Sequence, residues 1–108
     1  LHYDVTVVRI EVKKELGTEV VTREHGRRLR DLILKGCVDP PVIVDFGGLR
    51  INSVSFFDEA FGQIALNHSA QELKKVESRG LEKFDSALLQ DIIASRLSEA
   101  RKRSPLKS

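Results

Sequence analysis

The sequence predicts an α/β fold, a small sandwich with a central mixed β-sheet and helices packed on it. Three observations carry that expectation. Apolar residues alternate near the start of the chain, they recur at helical spacing in three later segments, and the stretch Val42-Ile43-Val44-Asp45-Phe46 is an almost unbroken, β-branched run. The 108 residues include 18 basic and 16 acidic side chains and are 41% hydrophobic. That composition supports a core without metal or disulfide staples, which excludes zinc ribbons and disulfide-rich scaffolds.

Each element follows from its local pattern. Residues 3–12 alternate twice, with Tyr3, Val5 and Val7 in one phase and Val8, Ile10 and Val12 in the other, as in a strand with a bulge or one whose first half is covered on both faces. Glu15 to Thr18 reads as a turn, and Glu19-Val20-Val21 as a short strand pairing back. Leu29, Leu32 and Ile33 then share one stripe of a helix over 23–35, with Thr22 as its cap and Gly36 as its end. Asp39-Pro40-Pro41 breaks the chain before the buried strand at 42–46, which Gly47-Gly48 closes in a turn. Phe57, Ala60, Phe61, Ile64 and Ala65 mark a second helix, for which Ser55 and Asp58 form a capping-box pattern. Gly62 within it predicts close packing on a neighbour. Residues 73–78 read as a further strand, and Asp85 as the cap of a long helix bearing Leu88, Leu89, Ile92, Ile93 and Leu97. Residues 1–100 form one domain on this reading, and residues 101–108, with Arg101, Lys102, Arg103 and Lys107, form a basic, mobile tail or, alternatively, a solvated helix end whose cations complement the macrodipole.

Sites for chemistry are sparse. His2, His25 and His68 are far apart and no Cys-x-x-Cys spacing occurs, so no metal or other cofactor is expected. The single cysteine, Cys37, lacks a local activator, no Gly-x-Ser-x-Gly elbow or Walker loop is present, and no enzyme activity is expected. One cysteine also precludes an internal disulfide and points to a reducing, cytoplasmic setting. No apolar run reaches the roughly 18 residues of a membrane span, and the opening residues do not read as a signal peptide. Two surfaces remain. Arg23, Arg27, Arg28 and Arg30 form a basic helix face that, with the tail, suits a nucleic-acid backbone, although Glu24 and Asp31 interrupt it. Adjacent Asp58 and Glu59 suit the positive end of the second helix, or contact with a partner or with an arginine of another helix.

The stretch Ser53-Val54-Ser55-Phe56-Phe57-Asp58-Glu59-Ala60-Phe61-Gly62 is the most informative. It resembles the Ser-Phe-x-Asp/Glu-Glu-Ala-Phe-Gly signature of the prokaryotic STAS-like domain of unknown function, and the preceding strand ending in Asp45 agrees with that family. The resemblance implies a relation to anti-sigma-factor antagonists, in which a strand, a loop and a serine at the start of a helix bind a kinase-like partner and phosphorylation of that serine switches the partner off. Counting from Asp45, the usual phospho-acceptor position falls on Val54, flanked by Ser53 and Ser55. What the resemblance implies is therefore a regulatory protein-interaction module without enzymatic activity. Its binding face would comprise Asn52, Ser53, Ser55, Asp58 and Glu59, and its partner would be a protein, a histidine-kinase-like ATPase. Capping and turn roles for the serines, and the nucleic-acid reading of the arginine face, stand as alternatives. Oligomeric state is not legible from the sequence.

Overall fold

A computed structural model of the chain describes residues 7–19, 22–36, 41–68 and 70–103. Three short strands form the sheet: β1 (Val8–Glu11), β2 (Val42–Asp45) and β3 (Val76–Arg79), in the order β1-β2-β3. Both pairings are parallel, with Val8 beside Val42 and Val42 beside Val76. The expected pairing-back strand falls largely on residues 20 and 21, outside the described residues. β2 is the central strand, and its Val42 and Val44 are fully buried, as its β-branched run predicts. Asp45 ends it as a clamp: one carboxylate oxygen accepts the Gly47 N–H at 2.9 Å and the other pairs with Arg9 of β1.

Helix α1 (Val12–Leu16) leaves β1 directly, where the alternation predicted that the strand would continue to residue 12. Residues 3–6 of that strand lie outside the described residues. Val12 and Leu16 are four apart, so one helical turn stacks both on the face that meets the core. Helix α2 (Arg23–Gly36) matches expectation, and Thr22 caps it by accepting the His25 N–H at 3.1 Å. Its buried stripe is Gly26, Leu29 and Ile33.

Helix α3 is continuous in three parts: Val54–Phe57, a π-helical turn at Asp58–Gly62, and Gln63–Asn67. Its cap is Ser53, not Ser55. Ser53 is extended and its hydroxyl accepts the Phe56 N–H at 3.2 Å, whereas Ser55 already lies within the helix. This phase buries Phe56, Phe57, Ala60, Phe61 and Ile64 together. Phe56 and Phe57 meet Phe46 edge-on, with ring centroids 6.4 and 6.3 Å away, and fix how α3 sits over the end of β2.

Leu73, expected in a strand, belongs to helix α4 (Ala70–Lys74), from which it packs on the core, and β3 starts at Val76. Helix α5 (Lys83–Arg103) begins before Asp85, which is therefore not its cap. Arg101, Lys102 and Arg103 form the last turn of α5, where cations complement the helix dipole, and residues 104–108 lie outside the described residues.

Candidate binding face and the helix junction beneath it

The residues of the Asp58–Gly62 turn join three helices. Asp58 is 7% exposed and accepts two hydrogen bonds from Arg96 of α5, Nε to Oδ1 at 2.7 Å and Nη2 to Oδ2 at 2.8 Å. Arg96 Nη1 also donates to Glu99 Oε1 at 2.9 Å. The Arg96 guanidinium holds the Asp58 carboxyl below its ordinary range, against burial, which pushes it up. Gly62 makes this geometry possible. A Cβ there would overlap Asp58 Oδ1 and stand 3.2 Å from Ile92 Cγ2 of α5.

Glu59, the next residue, faces α2 instead. Arg30 Nη1 donates to the Glu59 carbonyl at 2.8 Å and to its Oε2 at 3.3 Å, and Arg23 Nη1 reaches Oε1 at 3.5 Å. The helices cross closely because position 26 is glycine: a Cβ on Gly26 would be 2.6 Å from the Phe56 carbonyl oxygen and 2.8 Å from Glu59 Cβ. The remaining two arginines of the basic face are also engaged. Arg27 pairs with Glu24, and Arg28 Nη2 lies 3.4 Å from the Glu15 carbonyl oxygen. The contact of both acids with arginines of other helices, one of the roles open from sequence, is thus the one the fold adopts.

Above this junction the loop at 49–53 is held by a residue that sequence reasoning assigned elsewhere. Asp85, 2% exposed, accepts the Ile51 N–H at 2.7 Å and the Asn52 N–H at 2.8 Å. Asn52 is exposed and sits at φ +45°, in the left-handed region that asparagine tolerates. Ser53 and Ser55 are half-buried. Two large apolar side chains flank the loop in the open: Val54 is 59% exposed and Phe84, beside Asp85, is 64% exposed. A cleft of about 340 Å³ lies among Arg50, Asn52, Glu82, Phe84 and Asp85. A second, of about 400 Å³, adjoins Arg23, Val54, Asp58, Asp91, Ser95 and Arg96. Phe84 was missed from sequence because one aromatic between Lys83 and Asp85 has no periodic signal. Among the described residues no cluster of His, Cys, Asp and Glu is arranged to hold a metal ion, and no helix is long and apolar enough to cross a membrane.

Residues 25–76, from the first turn of α2 to the first residue of β3, match the model of a family described as a STAS-like domain of unknown function. Over this span the chain is similar to that family. Comparison with curated proteins and with solved structures gives no match. The matched span contains Gly26, Arg30, Asp58, Glu59 and Gly62, whereas Arg23, Asp85 and Arg96 lie outside it. In this chain the stretch from Ser53 to Gly62 is therefore largely a packing device. Phe56, Ala60 and Phe61 fill the core, Asp58 and Glu59 tie α3 to α5 and α2, and Gly62 leaves room for the carboxylate.

Proposed function

We propose that this STAS-like domain is a regulatory protein-interaction module without enzymatic activity, working in the cytoplasm. Its binding face comprises Asn52, Ser53, Val54 and Ser55 with Phe84 as an apolar anchor. The observation that carries this reading is the exposure of Val54 and Phe84 on either side of a loop whose backbone Asp85 already holds. Exposed apolar side chains on a preorganised loop favour association, because little conformational freedom is then lost on binding. Asp58 and Glu59 act below the face rather than on it, since their carboxylates are committed to Arg96, Arg23 and Arg30. The partner is a protein, a histidine-kinase-like ATPase of a partner-switching system, on the relation to antagonists of anti-sigma factors that the likeness of the Ser53 to Gly62 stretch to the STAS-like family implies. The arginine face is a poor nucleic-acid site by comparison, because Arg23, Arg27, Arg28 and Arg30 are each engaged within the fold.

The test is calorimetry of the full chain against a kinase-like ATPase encoded beside its gene. Binding is expected, and Phe84→Asp, Ser53→Asp and Ser55→Asp are each expected to weaken it about tenfold or more, roughly 1.4 kcal/mol, with circular dichroism unchanged. Equal affinity in all folded variants would move the face elsewhere.

A further inference from the structure

Among the described residues β3 is an edge strand, with complementary charges placed symmetrically along it. The carbonyl groups of Lys75 and Arg79 accept from Val42 of β2 and from Phe46 just after it, so by the alternation of a strand the N–H and C=O groups of Val76 and Ser78 point away from β2. Among the described residues nothing pairs with that outer row. Val76 and Ser78 are half-buried, and Glu77 and Arg79 stand exposed on the other face, paired with each other at 2.6 Å. Beside the edge, Leu73, Val76, Ser78, Ile93 and Leu97 line a mainly apolar groove of about 230 Å³.

We propose that a second copy of this chain pairs with β3 antiparallel to it, about a two-fold axis at Ser78, joining the two sheets into one. In that register the two Ser78 residues exchange backbone hydrogen bonds, Glu77 stands opposite the second copy's Arg79, and Arg79 opposite the second copy's Glu77. The interface is isologous, as a closed dimer requires. Charge selects the register. An axis centred on residue 77 would set Glu against Glu, and one centred on residue 79 would set Arg against Arg. Charged residues usually guard an edge strand against association, but here the pattern admits one self-pairing and opposes its neighbours. The apolar groove continues alongside the new ladder, where Leu97 and Ile93 gain cover.

Sedimentation of the full chain over a concentration series tests this, with circular dichroism to confirm folding. The expected result is a monomer–dimer equilibrium. Glu77→Arg and Arg79→Glu each set like charges opposite one another and weaken the dimer about tenfold or more, whereas an equimolar mixture of the two variants associates as a heterodimer. The double exchange, which keeps the pair within each strand, restores the homodimer, and Ser78→Pro, lacking the central donor, abolishes it. A wild type that stays monomeric throughout overturns the proposal. A dimer indifferent to these exchanges and to Ser78→Pro overturns it as well.

Discussion

The Asp58 carboxylate occupies the space that a side chain on Gly62 would need, one turn further along the same helix. From there it accepts from Nε and Nη2 of Arg96, and α5 is fastened to the π-helical turn of α3. Such turns are frequent at functional sites. In this chain the turn carries the ion pair, and the exposed face lies a turn earlier.

Gly62→Ala separates this arrangement from ordinary helix propensity. In an unobstructed helix the change would stabilise by about 1 kcal/mol. Here the added methyl meets Asp58 Oδ1 and lies 3.2 Å from Ile92 Cγ2, so the expected outcome is a loss of about 1–3 kcal/mol. Urea denaturation reads the sign directly.

Asp58→Asn removes the buried one of the two carboxylates that pair with Arg96 and is expected to cost about 2 kcal/mol near neutral pH, the scale of hydrogen bonds to charged groups. The effect depends on pH in a defined direction. Because the folded carboxyl lies below its ordinary value, its stabilisation is fully present above the unfolded pKa of about 3.9 and is lost as pH falls through the folded value. The stability gap between wild type and Asp58→Asn should therefore close in acid. A gap that holds constant down to pH 2 would show that the ion pair does not stabilise the fold.

Ser53 and Ser55 differ in what the backbone asks of them. Ser53→Ala removes the acceptor for the Phe56 N–H and should cost about 1 kcal/mol. Ser55→Ala should stay within about 0.5 kcal/mol of wild type. Thermal melts of the two variants side by side check the assignment of the cap.

Asp85→Ala leaves the Ile51 and Asn52 amides without their carboxylate and is expected to cost about 2–4 kcal/mol, with Asp85→Asn recovering part through its remaining acceptor oxygen. Amide proton shifts of Ile51 and Asn52 should move in both variants. If they do not, the loop is held by something other than this carboxylate.

Local pattern was enough for the elements that make their own signal. The β-branched run at Val42–Asp45 is the central strand, Thr22 caps the helix bearing Leu29 and Ile33, and the signature ending at Gly62 marks the helix that packs most closely. Each depends on neighbours a few residues away, through period, cap geometry or side-chain volume. Leu73 escaped that reading because a single leucine beside charged residues has no period to assign it, and its place in α4 follows from packing on the core.

The sequence by itself determined the α/β class, the central strand and the stretch that matters. Tertiary structure decided what that stretch does. Asp58 and Arg96 are 38 residues apart, Arg30 and Glu59 29 apart, and Ile51 and Asp85 34 apart. An acid reads the same in sequence whether it caps its own helix, meets a distant guanidinium or holds a distant loop, because its electrostatic partner is chosen by which helices cross. Two glycines allow those crossings, and the free space at Gly26 and Gly62 takes its meaning only from the carbonyl and carboxylate that other turns bring to them.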